Sequence, residues 1–134
     1  MMVREDKKSG TRYETGGSSI WLDEEGIIRA AVKPVPEITV ESIKQDMAIY
    51  KKLGGGSPRP VLANISHIVK VGRDARHLAA TQIPQFATAA AVVIGSPVSR
   101  VIGNFFLGLN RPEIPLRLFD EEEAALAWLR SFLD

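Results

Sequence analysis

The spacing of hydrophobic and polar positions first predicts a hairpin and then a helix. Apolar, β-prone runs at residues 18–22 and 27–32 flank a polar tip that ends in glycine, which suits a short hairpin loop. Thr39 is then a suitable N-cap for a helix with apolar side chains at helical spacing, and the glycines at 54–56 end that helix. The polar residues of the helix, including Asp46, are expected to point mostly outward.

Residues 61–80 join an apolar strand to a basic helix start. The run at 61–71 is rich in β-branched residues, which is typical of a strand covered on both faces by helices. Gly72 breaks this run, and residues 73–82 contain good helix formers that stop near Pro84. We therefore expect a buried strand over 61–71 and a helix directly after it.

The next part of the chain predicts another strand and helix. Residues 88–94 form an apolar segment whose small alanines favour close packing of a helix above it. Ser96 before Pro97 is a strong helix start, because serine caps and proline lacks only an N–H that would have no partner there. A complete amphipathic stripe follows, formed by Val98, Val101, Ile102, Phe105, Phe106 and Leu109.

A short strand and a final helix complete the prediction. Residues 115–119 are expected to form the strand, and Asp120 with Glu123 resembles a capping box at the helix start. The resulting order is ββαβαβαβα, so the fold class is α/β: a mixed, mostly parallel sheet with an N-terminal antiparallel hairpin and four helices. Residues 1–12 are polar and aperiodic and predict a flexible leader, which leaves 13–134 as a single domain.

Composition and charge exclude several classes of function. The 134 residues carry a net charge of +1, which argues against a dedicated nucleic-acid binder. The chain has no cysteine, so disulfides, thiol catalysis and thiolate metal sites are excluded together. No apolar run reaches the roughly 18 residues of a transmembrane helix, and the charged first ten residues, which lack an apolar core region, predict no signal peptide. A cytoplasmic protein is expected.

Three segments resemble a known family: VLANISHIVKVGRDARHLAA at 61–80, GSPVSRVIGNFFLGLNRP at 95–112 and LRLFDEEEAALAWLRSFL at 116–133. With the element order, they resemble the STAS fold of anti-sigma-factor antagonists, the SpoIIAA-like proteins. The chain is most similar to uncharacterised bacterial STAS-like proteins, a group whose name is often linked to lipid-transfer domains. The resemblance implies a SpoIIAA-like fold and a non-catalytic regulatory or protein-interaction module.

The family's phosphorylation switch does not carry over to this sequence. In anti-sigma-factor antagonists the turn after the corresponding strand carries an Asp-Ser-Ser-Gly-like motif, in which a serine is phosphorylated by a partner kinase. The aligned residues here are Gly72, Arg73, Asp74 and Ala75, and Asn64 is the nearest polar counterpart of the acidic residue in the strand. The resemblance therefore implies a STAS-type module that lacks the phosphorylatable serine.

Two helix starts are expected to meet at the ligand-binding edge of the sheet. Strand carboxyl ends in an open α/β sheet lie together, and helix N-termini there attract anions. The basic residues and serines at these two helix starts could together hold a phosphate, a carboxylate or an anionic lipid head. Alternatively, the arginines among them are solvated or paired with Asp74 and the acidic run at 120–123. The candidate residues are Gly72, Arg73, Arg76, His77, Ser96, Ser99 and Arg100.

The apolar helix face is a second candidate site. Phe105, Phe106 and Leu109 belong either to the core, or to a surface for self-association as a homodimer, or to a groove for a lipid tail. Its partner would be a second copy or another protein, and a small anionic ligand or lipid is the alternative.

Catalysis finds little support in the sequence. His67 and His77 are the only histidines, and neither has metal-ligand spacing with a carboxylate. No nucleophile-elbow pattern accompanies the serines. The sequence therefore predicts no enzyme, no cofactor and no metal site.

Overall fold

A computed structural model describes residues 2–6, 10–110 and 113–133, with side chains for 11–108 and 113–133. The described chain forms seven strands and four helices. In chain order they are β1 (Met2–Asp6), β2 (Gly10–Glu14), β3 (Ser18–Leu22), β4 (Ile28–Val32), α1 (Val40–Gly54), β5 (Arg59–Asn64), α2 (Arg73–Phe86), β6 (Ala87–Val93), α3 (Pro97–Asn110), β7 (Leu116–Phe119) and α4 (Glu122–Arg130).

The sheet follows chain order from β1 to β7. Strands β1 to β4 pair antiparallel, and β4 to β7 pair parallel through helical crossovers. From β3 onward the order is ββαβαβαβα, so the predicted α/β fold class with its opening hairpin and four helices is confirmed.

Strand β1 and the first three residues of β2 lie in residues 1–12, for which the sequence predicts a flexible leader. They pair with each other from Met2 opposite Glu14 to Asp6 opposite Gly10, and β2 then pairs with β3. Backbone hydrogen bonds to a neighbouring strand hold β1 and β2 in the sheet. The polar sequence of this segment does not indicate these hydrogen bonds. The sheet therefore extends beyond the predicted hairpin, and the domain bounds of 13–134 stay a prediction.

Strand β5 is shorter than predicted, because it ends at Asn64 rather than at residue 71. The Asn64 side-chain oxygen accepts hydrogen bonds from the Ser66 amide at 2.9 Å and from its hydroxyl at 2.6 Å, which turns the chain away from the sheet. Ile65 and Ile68 remain buried in the following loop. Burial of this loop explains why its sequence resembles a strand.

The sheet separates two unlike layers of core. Helix α4 covers one face, where Leu126 and Leu129 pack on Leu62, Ala89 and Ala91. Helices α1, α2 and α3 cover the other face, on which β5 presents Val61 and Ala63 and β6 presents Ala87, Ala90 and Val92. A shift of register between β5 and β6 turns both Ala87 and Ala90 toward this second face.

Candidate functional site

The start of α2 is fixed by a close approach of the chain to residues 37 and 38. The Gly72 amide donates to the Ile38 carbonyl at 3.2 Å, and the Ile38 amide donates to the Lys70 carbonyl at 2.8 Å. A Cβ atom on Gly72 would lie 2.8 Å from a carboxylate oxygen of Glu37, so a larger residue there would require the Glu37 side chain to move. Gly72 caps the helix through its extended backbone and offers no side-chain cap.

Three basic side chains follow on α2. Arg73 and His77 are exposed, and Arg76 is half-buried. The Arg76 guanidinium carbon lies 4.7 Å from the centre of the Phe105 ring, and the His77 ring meets the same ring edge-on at 5.5 Å. Two of the predicted anion-site residues, Arg76 and His77, therefore contact the ring of Phe105 on α3.

The start of α3 uses its serines to cap itself. Ser96 Oγ accepts from the Ser99 amide at 3.0 Å, and Ser99 Oγ accepts from the amides of Ser96 and Gly95 at 2.8 and 2.9 Å. Ser99 is fully buried. The predicted Ser96 cap is thus present, and both hydroxyls have structural partners.

Arg100, one turn further along α3, has an acidic partner. Its guanidinium lies 3.3 Å from a carboxylate oxygen of Asp120, and both side chains are largely exposed. The pair borders a shallow hollow with Gly95, Ser96 and Pro97. The prediction that Asp120 caps α4 is wrong: the cap residue is Glu121, which makes no side-chain cap hydrogen bond.

The seven predicted anion-site residues therefore form two groups. Ser96, Ser99 and Arg100 belong to the capped and ion-paired start of α3, while Gly72, Arg73, Arg76 and His77 lie at the start of α2, where Arg76 and His77 contact Phe105. Anion binding by either group stays a prediction.

The outer side of α3 exposes apolar side chains next to these cations. Val98 is 45% exposed and Val101 is 67% exposed. Phe105 lies one to two turns further along and shares this side of the helix, since positions i, i+3 and i+7 coincide. We define the α2–α3 surface as Arg73, Arg76, His77, Val98, Val101 and Phe105.

Phe106 and Leu109, the other two residues of the predicted interaction surface, are not part of the α2–α3 surface. Phe106 packs against the core beside Ile102 and lines an internal cavity. The side chain of Leu109 lies outside the described residues.

That partly enclosed cavity, of about 120 Å³, lies between the sheet and helices α1 and α2. The periodicity of the sequence does not predict this cavity. Small residues on the strands are the one sequence feature that could indicate it, but they are ordinarily interpreted as a sign of close helix packing. Close packing holds for Ala89 and Ala91 under α4, whereas Ala63, Ala87 and Ala90 border the open space. Its wall consists of Ser18, Val32, Ile38, Ile43, Asp46, Met47, Tyr50, Val61, Ala63, Ile65, Ile68, Val71, Ala79, Ile83, Phe86, Ala87, Ala90, Val92 and Phe106.

Asp46 supplies a carboxylate to this mostly apolar wall. Its two oxygens accept hydrogen bonds from the Thr15 hydroxyl at 2.6 Å and from the Ser18 hydroxyl at 3.1 Å. Burial raises the pKa of Asp46 to about 6, and the two hydroxyls and the Lys33 charge offset only part of that effect. Burial, and secondarily the Asp46 charge, also raises the pKa of Tyr50.

Comparison with known proteins assigns a family and a fold. A family model described as a domain of unknown function, DUF7793, matches residues 20–133. The chain belongs to this family. No curated protein matches the chain.

Two solved structures resemble this DUF7793 domain. One is an uncharacterised DUF3478-family protein with a SpoIIAA-like fold from Shewanella loihica PV-4, with 14% identity, a TM-score of 0.64, and coverage of 87% of this chain and 97% of that chain. The other, of unknown function from Arthrobacter sp. FB24, is 29% identical and covers 83% of this chain and 97% of its own, but its TM-score of 0.33 supports no structural argument. The expected SpoIIAA-like fold is confirmed.

Two features are absent from the described part of the DUF7793 chain. No three histidine, aspartate or glutamate side chains in it group as metal ligands. No helix in it has the length and hydrophobicity needed to span a bilayer.

Proposed function

We propose that this DUF7793 protein is a non-catalytic regulatory module that binds a partner protein through the α2–α3 surface. The observation that carries the proposal is the exposure of Val98 and Val101 beside the Arg76–Phe105 pair. The SpoIIAA-like fold supports a regulatory role at the level of analogy.

The chemistry of the surface suits the centre of a protein interface. Exposed valines gain free energy when a partner removes them from water. Arginine and aromatic residues are enriched among the side chains that contribute most to binding. The Arg76 side chain is half-buried with its guanidinium against the Phe105 ring, so a charged acceptor from a partner near this guanidinium would be stabilising.

Charge favours a partner with acidic groups over a second copy of this chain. Lys70, Arg73 and Arg76 outnumber the carboxylates of Glu37 and Asp74 at the start of α2, while Arg100 is already paired with Asp120. A two-fold pairing would bring the same cations toward each other across the axis. An acidic segment with apolar side chains complements the surface instead.

Regulation by this module would not use phosphorylation of the α2 turn. Arg73 is the first residue of α2 and Asp74 follows it, at the positions where the related motif has serines. Neither side chain has a hydroxyl, so the charge of the turn is constant. We therefore expect binding to depend on the concentrations of the two proteins and on ionic strength.

Site-specific crosslinking tests the partner. A photoreactive benzoylphenylalanine at position 101 should capture a protein from native cell extract, whereas the same residue at Ala127, exposed on α4 across the sheet, should not. With the captured protein purified, Val101→Asp should weaken binding at least about tenfold. Arg73→Glu with Arg76→Glu should also weaken it and reduce its salt dependence.

Three results would contradict the proposal. Equal capture from positions 101 and 127 would show that the partner does not bind preferentially at the α2–α3 surface. An unchanged affinity of the Val101→Asp variant for the captured protein would show that Val101 does not contribute to binding. A concentration-dependent dimer by light scattering that Val101→Asp dissociates would instead support the homodimer expected from the sequence.

Two further expectations stay predictions. If the helix starts bind an anion, phosphate should raise the melting temperature, and Arg73→Ala with Arg100→Ala should abolish that increase. The cytoplasmic location would be checked by cell fractionation.

A further inference from the structure

The cavity beside Asp46 has apolar walls from the sheet and from three helices. Ile43 and Met47 of α1, Ile83 of α2 and Phe106 of α3 line it together with strand residues. These four side chains are only partly buried although they point toward the core side of their helices.

Small residues on the sheet create this space. Ala63 of β5 and Ala87 and Ala90 of β6 form part of its floor, and the register shift between the two strands turns both β6 alanines inward. Protein cores are normally close-packed, and unfilled space of this kind is destabilising. Occupation by a small molecule would recover the lost contacts.

The volume sets the size of the occupant. The cavity measures about 120 Å³. An engineered apolar cavity of about 150 Å³ in another protein binds benzene. A single six-membered ring or a short branched alkyl group therefore fits, whereas a long acyl chain exceeds this volume.

Asp46 sets the polarity of the occupant. Its oxygens already accept from Thr15 and Ser18, but a carboxylate has about four lone-pair sites, so it can accept further hydrogen bonds. An amine or hydroxyl would donate to it. A second carboxylate or a phosphate would be repelled at short range in these low-dielectric surroundings.

We propose that this cavity binds a small molecule with an apolar body of about six to eight carbon atoms and one hydrogen-bond donor, an amine or a hydroxyl, directed at Asp46. The site lies in the core between the sheet and α1, α2 and α3, and its lining includes no residue of the α2–α3 surface.

Four probes of one size test the proposal: toluene, benzyl alcohol, benzylamine and benzoate. Ligand-observed NMR and thermal shift on the purified full chain should show binding of the first three, with benzylamine tightest and benzoate at least about tenfold weaker than benzyl alcohol. Asp46→Asn should retain toluene binding and remove the preference for benzylamine.

Filling the cavity tests the location. Ala63→Leu should abolish binding of toluene and benzylamine alike, while Ala127→Leu, at an exposed position of α4, should leave both unchanged. Ala63→Val is a milder variant should the leucine prevent folding, as checked by circular dichroism; it should weaken toluene binding several-fold.

The proposal is overturned if none of the probes binds the wild-type protein, or if toluene binds a folded Ala63→Leu variant as tightly as wild type. Equal affinity for benzylamine and benzoate would show that Asp46 does not interact with the bound molecule and would contradict this part of the proposal. Loss of partner binding in Val101→Asp with unchanged toluene binding would confirm that the two sites are separate.

Discussion

The carboxylate of Asp46 is buried in the cavity wall, where water no longer solvates its charge. Thr15 and Ser18 replace part of that solvation with hydrogen bonds, yet the pKa stays raised, at about 6 against an ordinary value of 3.8. The folded state therefore binds this proton more tightly than the unfolded chain does. Ionised Asp46 opposes folding at neutral pH.

Substituting Asp46 should change how stability depends on pH. The raised pKa gives the folded state stability that is fully present below about pH 4 and is lost as the pH rises through about 6, on the order of 3 kcal/mol. Asp46→Asn cannot titrate, so its unfolding free energy relative to wild type should increase between about pH 4 and pH 7. Urea denaturation across this range measures the difference.

A hydroxyl variant provides the control for this prediction. Ser18→Ala removes one donor to Asp46 and keeps the carboxyl group, so the loss of stability with rising pH should persist and grow. A difference between Asp46→Asn and wild type that is constant with pH would show that Asp46 titrates alike in both states.

The prediction that Asp46 points outward is wrong, and the reason is tertiary. Its polarity and helical position favour solvent, but the hydroxyls that stabilise it come from Thr15 and Ser18, 31 and 28 residues earlier in the chain. Helical periodicity contains no information on such partners.

Helix ends show how far local sequence decides an element. Thr39 caps α1 with Ser42 as its reciprocal partner, and Gly55 ends the helix with a φ of 62°, as the sequence predicts. Helix α4 differs, because Asp120 pairs with Arg100 across the fold instead of capping. Predicted helix α2 also continues past residue 82 to Phe86, with Pro84 in its last turn.

Two adjacent glycines at the end of α1 should respond in opposite directions to alanine. Gly54 is helical and a Cβ there meets nothing within 4 Å, so Gly54→Ala should raise the unfolding free energy by up to about 1 kcal/mol. Gly55 has a positive φ of 62°, so Gly55→Ala should lower it by about 1 kcal/mol. Urea denaturation of both variants checks this; effects of the same sign would contradict the left-handed C-cap.

The whole molecule is a sheet with one closely packed face and one face that contains a cavity. Ala91 of β6 is fully buried under α4 in the same cluster as Leu129, which is also inaccessible. Ala63, on neighbouring β5, borders the cavity and is only partly buried. The two faces should therefore tolerate added volume differently.

The same substitution on adjacent strands tests this asymmetry. Ala91→Val inserts methyl groups into a filled layer and should lower the unfolding free energy by about 1–3 kcal/mol. Ala63→Val extends into open space and should be neutral or stabilising by up to about 1 kcal/mol. Equal destabilisation in urea denaturation would show that the cavity face is also close-packed.

The sequence by itself determined the element order from residue 18 onward, the α1 and α3 caps and the missing serine of the α2 turn. These follow from periodicity, capping chemistry and residue identity, which act over a few positions along the chain.

The tertiary structure alone decided that β1 and β2 join the sheet, that β5 ends at Asn64, and that α3 leaves Val98 and Val101 exposed. It also decided the burial of Asp46 and the cavity beside it. The physical reason is that these features depend on which distant segments meet, through strand pairing, side-chain hydrogen bonds and the volumes that facing layers fill.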